Sequence, residues 1–169
     1  AKIIDNDEFD DGILFPELIP FSKVTINVTI NVFDKDSPRY ANDFLYLSGW
    51  FDWDSDGIWE ADEREFNLQI DASQFSSNIE IIPITLAIQN ITGNATWARI
   101  RLSYGDNPGV AGLTEFGEVE DYHVGITELH DFGDAPDPTY PSLLKNNGAR
   151  HLVTGLEMLG YNVSVEGDA

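Results

Sequence analysis

The sequence contains no cysteine, and its basic residues are few. The absence of cysteine excludes disulfides and thiolate metal ligands. Nine Lys and Arg stand against thirty Asp and Glu, which gives a formal net charge of −21. This charge repels nucleic acid and anionic lipid headgroups, so we expect neither as a partner. It attracts cations instead, and Ca²⁺ is the ion that we expect the clustered carboxylates to bind.

Long apolar runs are missing as well. No segment approaches the roughly 18 apolar residues of a membrane-spanning helix, and the first residues lack the basic and then apolar pattern of an export signal. We therefore expect no membrane insertion, and we interpret the chain as a mature product or a piece of a longer protein. Its 169 residues are 42% hydrophobic, which is sufficient for one core.

An alternation of apolar and polar residues predicts β-strands along most of the chain. From Val24 to Val32, every second residue is apolar, which predicts a strand at residues 23–33. Further strands are predicted at residues 44–53, 64–70, 79–88, 96–104 and 118–127. Because turn-rich segments separate them, we predict an all-β fold, an antiparallel β-sandwich of the jelly-roll or immunoglobulin-like kind. Pro83 places the strand at 79–88 at a sheet edge or in a bulge.

The composition changes after Thr127. Residues 131–141 are rich in Asp and Pro, and the residues that follow them show no regular spacing of apolar residues. We predict a sandwich domain at residues 1–128 and a loop-rich C-terminal extension at residues 129–169. Because the extension is too short to bury a core of its own, we expect it to dock on an adjacent repeat or subunit.

Residues 52–63 read DWDSDGIWEADE and fit the twelve-residue calcium loop D-x-D-x-D-G-x5-E at each position. Alternate acidic side chains of such a loop turn their oxygens towards one centre, and Gly57 permits the sharp reversal. The predicted Ca²⁺ ligands are Asp52, Asp54, Asp56, Glu60 and Glu63, with Ile58 contributing its backbone carbonyl. A solvated acidic turn without an ion is the alternative.

The residues before this loop have the pattern of a strand. A sensor that opens a pair of helices is therefore not expected. We expect the ion to fix a connection between two strands, with the dissociation constant of extracellular modules, on the order of 10⁻⁴ to 10⁻³ M.

Several unusual motifs accompany the loop. Residues 117–122 spell GEVEDY, residues 10–13 spell DDGI, residues 131–136 spell DFGDAP, and residues 148–151 spell GARH. With the acidic loop, these motifs resemble the GEVED domain family of secreted and cell-surface prokaryotic proteins. The resemblance implies a β-sandwich repeat of structural or adhesive character, and it brings no established catalytic residues.

The order of these motifs differs from the order that the resemblance implies. DFGDAP and GARH generally precede GEVED, whereas here they follow it. This indicates a head-to-tail repeat array or a self-assembling filament. Our hypothesis is that residues 131–169 dock on the next copy, for instance by adding a strand at an open sheet edge.

Two further acidic groups are candidate sites. Glu118 and Glu120 share one face of a predicted strand, and paired carboxylates can serve as acid and base in glycoside hydrolysis. We favour a structural cluster that accepts hydrogen bonds from backbone amides, Arg99 or Arg101, or that holds a second ion, and we expect no enzyme. A set with a spacing of three residues is either a second metal site or a turn with Asp caps. Its members are Asp131, Asp134 and Asp137.

Four Asn-x-Ser/Thr sequons make Asn27, Asn90, Asn94 and Asn162 candidate glycosylation sites, although exposed strand faces are rich in the same residues. The four tryptophans either fill the core or form a surface for stacking sugars. We expect an extracellular, calcium-stabilised structural or adhesive module with identical or repeated units as partners. The alternative is a calcium-dependent carbohydrate-binding module that recognises surface glycans.

Overall fold

The computed structural model describes residues 11–41, 43–89, 91, 93–154 and 156–166. Its eight strands are β1 (Lys23–Asn31), β2 (Leu45–Phe51), β3 (Arg64–Ile70), β4 (Ile79–Ala87), β5 (Ala95–Tyr104), β6 (Gly117–Gly125), β7 (His130–Phe132) and β8 (Arg150–Leu152). Three short 3-10 helices cover Pro38–Ala41, Ala72–Gln74 and Leu144–Asn146. Within these ranges, no helix has the length and hydropathy that crossing a membrane requires. Asn90 and Asp10 lie outside the described residues.

The strands form antiparallel sheets, and the prediction of an antiparallel β-sandwich is confirmed. One sheet pairs β1 with β4, and the other has the order β3-β2-β5-β6. A third, two-stranded sheet of β7 and β8 lies in the C-terminal extension. The sequence predicted the six longer strands to within two residues at each end and missed the two short ones.

The core lies between the two larger sheets. In β1 the residues Ile26, Val28 and Ile30 are buried while the alternate residues are exposed, so the strand directs one face inwards. The opposing sheet contributes Leu47, Phe51, Ala98, Ile100 and Val124 to the same cluster. Among the described residues, no member of this cluster lies beyond Ile126.

The outer face of the larger sheet is covered by the loop at residues 105–116. Arg101 of β5 is only 8% exposed, and its guanidinium donates hydrogen bonds to the carbonyl oxygens of Gly109, at 2.7 Å, and Gly112, at 3.0 Å. Arg99 donates to the carbonyl of Val110 at 3.3 Å. Backbone carbonyls thus replace the hydrogen bonds to water that the guanidiniums lose on burial, and the loop is held on the sheet.

Pro83 lies on the open edge of β4, as the sequence predicted. Hydrogen bonds at the two ends of the β1-β4 pair join Ile88 N to Ser22 O, at 2.9 Å, and Val32 N to Asn78 O, at 2.8 Å. The bonded residues have even numbers, so the odd-numbered residues of β4 direct their backbone groups away from β1. Pro83 is one of them, and its missing N–H breaks no hydrogen bond of this sheet.

The two ends of the sandwich differ, and we name them by what they carry. The acidic end carries the loop at residues 52–63, and the aromatic end carries the loops at residues 32–44 and 105–116. Towards the aromatic end, Gly12 O accepts a hydrogen bond from Thr29 N at 2.8 Å. At the acidic end, Leu18 and Ile126 form a parallel bridge.

Replacing Phe51 with Ala tests the core. The Phe51 ring is 0% exposed and stacks on Trp53 with 4.9 Å between centroids. We expect Phe51→Ala to lower the free energy of unfolding by about 3 to 5 kcal/mol, because a cavity remains. Urea denaturation measures the change. Phe33→Ala is the matched control, since Phe33 is 98% exposed, and its effect stays within about 0.5 kcal/mol. Equal effects of the two substitutions would contradict this description of the core.

Candidate metal centre

The acidic loop at residues 52–63 connects β2 to β3, and both of its ends are fixed by backbone hydrogen bonds. Phe51 N donates to Glu63 O at 3.1 Å, which closes the base of the loop. Asp52 N donates to Trp97 O of β5 at 3.0 Å, and the hydroxyl of Thr96 donates to Asp52 O. The first and last predicted ligands are therefore held by the sheet itself.

The loop brings its carboxylates together. Two groups of three have oxygens within 4.8 Å of one another: Asp52, Asp54 and Glu63 form one, and Asp54, Asp56 and Glu60 form the other. Because Asp54 belongs to both, all five carboxylates that the sequence predicted as ligands form one continuous cluster. Asp52 and Glu63 are each only 6% exposed, so the cluster extends from the protein interior to the solvent.

Backbone amides of the loop stabilise the two buried carboxylates. The two oxygens of Asp52 accept hydrogen bonds from Asp56 N and Gly57 N, both at 3.2 Å. Those of Glu63 accept from Trp53 N at 2.8 Å and Glu60 N at 3.1 Å. Gly57 has a φ of 82°, a left-handed conformation that side chains with a Cβ resist. Glycine at position 57 thus lets the chain reverse, so that the amides of the loop point towards Asp52.

Glu60 reports the electrostatic cost of this arrangement. Desolvation raises the pKa of the Glu60 carboxyl above its ordinary value, and the negative charges of Asp56, Glu63 and Asp54 raise it further. Crowded carboxylates of this kind are relieved either by a proton or by a cation. The donor set contains only hard oxygens, which suits Ca²⁺ rather than a metal that prefers sulfur or imidazole.

The rest of the loop faces outwards. Ile58 donates its N–H to Asp56 Oδ1 at 2.7 Å, and its side chain is 61% exposed. The half-buried ring of Trp59 contacts the Arg99 guanidinium, 5.4 Å from the ring centroid. Arg99 in turn makes a bidentate ion pair with Asp121, at 2.7 and 2.5 Å. One cation thus links the loop to the GEVEDY segment on β6.

The GEVEDY carboxylates hold the fold together. Glu120 accepts a hydrogen bond from Gly12 N at 3.3 Å and another from the Tyr122 hydroxyl. The Tyr122 oxygen accepts from Ile13 N at 3.0 Å. A Cβ at position 12 would lie 2.7 Å from Glu120 Oε2, so a larger residue would have to displace this carboxylate. The predicted acceptance of backbone hydrogen bonds is confirmed for Glu120, whereas Arg99 pairs with Asp121 rather than with either glutamate.

The residues predicted for a second metal site form no group of three converging carboxylates within the part of the chain that the structure describes. This holds for Asp131, Asp134 and Asp137 and for the Glu118 and Glu120 pair. Asp137 acts as a turn cap. Its carboxylate accepts hydrogen bonds from the backbone N–H of Ser142, at 3.1 Å, and of Leu143, at 3.3 Å, and from the Asn146 side chain.

The pKa of Asp137 agrees with this role. Partial desolvation raises it, but the amides of Ser142 and Leu143, the Asn146 amide and the charge of Lys145 together hold it below its ordinary value. The predicted alternative, a turn with an Asp cap, is therefore what the structure shows at Asp137.

The sequons have different surroundings. Asn27 lies on the exposed face of β1, and Asn94 and Asn162 are exposed as well. In the Asn94 sequon, however, Thr96 is 3% exposed, and its hydroxyl donates to Asp52 O. The four tryptophans also differ in burial. Trp50 and Trp53 are 3% and 6% exposed, whereas the other two are partly exposed. Trp50 and Trp53 belong to the interior, where they cannot stack on a sugar.

Sequence reasoning missed the positioning of the loop at residues 105–116 by Arg99 and Arg101. The sequence did contain a signal for this role, because two of only nine Lys and Arg residues lie two positions apart on one predicted strand. A cation on a central strand must find acceptors, and here those acceptors are loop carbonyls as well as Asp121.

The fold and the loop define an all-β sandwich protein in which one strand connection is an acidic loop of the calcium type. Residues 46–125 match the family model of the GEVED domain, and this part of the chain belongs to that family, as the motifs predicted. The matched range includes the whole acidic loop and ends with β6. Comparison with curated proteins and with solved structures gives no match.

A pH titration tests the crowding of the loop. In chelator, we expect NMR to give Glu60 a pKa above the ordinary 4.5, and we expect Asp56→Asn to lower it. Because the pKa is raised in the folded state, the ionised carboxylate costs stability at neutral pH. That cost is lost as the pH falls through the folded pKa towards the unfolded value. Glu60→Gln removes this contribution. A Glu60 pKa at or below 4.5 would contradict the crowding.

Proposed function

We propose that the loop at residues 52–63 binds Ca²⁺, and that the protein is an extracellular structural or adhesive module stabilised by that ion. The observation that carries the proposal is that five carboxylates, two of them buried, form two groups of three that share Asp54, in a loop whose ends are fixed by the sheet. Buried like charges destabilise a fold unless a cation or a proton neutralises them.

The ligand set supports calcium over magnesium. Ca²⁺ accepts six to eight oxygens in a flexible geometry, which five carboxylates and the Ile58 carbonyl can provide. Mg²⁺ requires a smaller, octahedral set and retains several waters. With the dissociation constant expected for extracellular modules, on the order of 10⁻⁴ to 10⁻³ M, the loop would be filled outside a cell.

The surroundings of the loop support a structural role. Strands rather than helices flank it, and Phe51 N–Glu63 O closes its base, so binding would tighten the β2-β3 connection without opening a groove. The acidic residues on β6 are engaged in contacts that hold segments together, Glu120 with Gly12 and Asp121 with Arg99. These contacts favour a scaffold over an acid–base pair.

The partners that we propose are neighbouring copies or repeats of the same module. The open strand edge of β4 and the C-terminal sheet of β7 and β8 are surfaces that such a neighbour could contact. A role in binding surface glycans is less well supported, because Trp50 and Trp53 are buried.

Removing the exposed ligand Asp54 tests the calcium site. For the unaltered chain, about 10 mM Ca²⁺ raises stability by about 1.4 to 2.7 kcal/mol over chelator, if the dissociation constant is on the order of 10⁻³ to 10⁻⁴ M. This corresponds to a rise in Tm of roughly 3 to 10 °C for a chain of this size. Asp54→Ala should weaken Ca²⁺ binding at least about tenfold, as measured by calorimetry and thermal unfolding.

Asp62→Ala is the matched control. Asp62 is an exposed carboxylate of the same loop at a position that supplies no predicted ligand, so its loss removes equal charge. We expect it to retain most of the calcium-dependent rise in Tm. If both variants lost the calcium-dependent rise in Tm equally, the effect would be non-specific charge screening. If the unaltered chain showed no such rise, the proposed function would be refuted.

A further inference from the structure

A cleft beside the acidic loop is lined in part by a residue from a different connection of the sandwich. The cleft has a volume of about 480 Å³. The loop contributes Trp53, Asp54, Glu60, Asp62 and Glu63 to its lining. Among the described residues, the remaining lining residue is Gln89, which follows β4 on the connection to β5. Three of the predicted Ca²⁺ ligands and Gln89 therefore share one cleft.

The backbone on both sides of Gln89 is anchored in the sandwich. Ile88 is 4% exposed, its N–H donates to Ser22 O at 2.9 Å, and its carbonyl accepts from Phe21 N at 3.1 Å. Ile91, two residues beyond Gln89, is 1% exposed and belongs to the core. Gln89 itself is exposed between these buried neighbours. Its position beside the acidic loop is therefore set by the fold.

The side chain of Gln89 is available to a ligand. Within the described ranges, its amide makes no hydrogen bond. The amide oxygen is a hard, neutral acceptor of the kind that Ca²⁺ binds together with carboxylates. A neutral oxygen also adds no negative charge to a loop in which five carboxylates already repel one another. Gln89 thus suits this site better than a further acidic residue would.

The loop leaves part of the coordination shell to groups outside it. Both oxygens of Asp52 and both oxygens of Glu63 already accept a hydrogen bond from a backbone amide, which occupies one of the two lone pairs on each oxygen. Ca²⁺ takes six to eight oxygens. Because a water molecule occupies about 30 Å³, the cleft has space for the ion's remaining ligands, including water.

We propose that Gln89 is a ligand of the Ca²⁺ ion, through its side-chain oxygen directly or through one water. This inference rests on the proposed function, because it adds a residue to the same site. It also extends the role of the ion. The acidic loop belongs to the four-stranded sheet, whereas Gln89 directly follows a strand of the β1-β4 sheet. The ion therefore joins the two sheets at the acidic end, in addition to fixing the β2-β3 connection.

Calorimetry of three variants tests the ligand. Gln89→Ala removes the oxygen and should weaken Ca²⁺ binding about tenfold. Gln89→Glu keeps an oxygen at the same place and should bind at least as tightly as the unaltered chain. Gln69→Ala is the matched control, since Gln69 is an exposed glutamine on β3 that does not line the cleft. It should bind like the unaltered chain. Circular dichroism in chelator checks that each variant is folded.

Hydrogen exchange tests the link between the sheets. In the unaltered chain, Ca²⁺ should slow exchange of the Phe51 amide, which bonds to Glu63 O, and of the Ile88 amide, which bonds to Ser22 O. In Gln89→Ala, at a concentration that saturates the variant, Ca²⁺ should still slow exchange at Phe51 but no longer at Ile88. A residue that only shaped the loop would not separate the two amides in this way.

The outcomes separate this inference from the proposed function. If Gln89→Ala binds Ca²⁺ within about twofold of the unaltered chain, the inference is overturned and the calcium site stands. The same holds if the NMR signals of the Gln89 side-chain amide do not move when Ca²⁺ is added to the unaltered chain, a measurement that needs no variant. If the unaltered chain binds no Ca²⁺, the proposed function fails and the inference fails with it.

Discussion

The junction of β2 and β3 depends on two carboxylates that are withdrawn from water. Asp52 and Glu63 begin and end one loop, and each is held by backbone amides from within that loop. The amides reduce the cost of burial without cancelling the charge. The hydrogen bond from Phe51 N to Glu63 O continues the β2-β3 pairing up to this point. The charge of the loop and the alignment of the two strands therefore depend on the same residues. What neutralises the carboxylates also fixes the sheet.

Three of the few basic residues of the chain each contact more than one group. Arg99 and Arg101 lie on the same face of β5, and between them they contact Asp121, the Trp59 ring and the carbonyls of a loop that covers the sheet. Arg39 is shared by two aromatic rings at the opposite end. In a chain of net charge −21, each of these three guanidiniums therefore links two segments of the fold.

Local features of the structure could be read from the sequence, and distant contacts could not. Strand β1 was predictable because its alternation is strict, and the clustering of the loop carboxylates was predictable because their spacing matches a known loop pattern. The contact of Gly12 with Glu120 joins residues 108 positions apart, and no local pattern contains it. Strands β7 and β8 have three residues each, too few for a period to show. Asp137 was ambiguous because a cap and a ligand use the same carboxylate.

Pro83 has a consequence for modules that lie close together in large numbers. Identical neighbours present the same unpaired strand edge at high local concentration, which is the condition under which cross-β fibrils grow. A residue that cannot donate interrupts the ladder in the middle of that edge. The exposed edge is thereby a poor template for its own copy, and copies at high concentration can remain separate folded units.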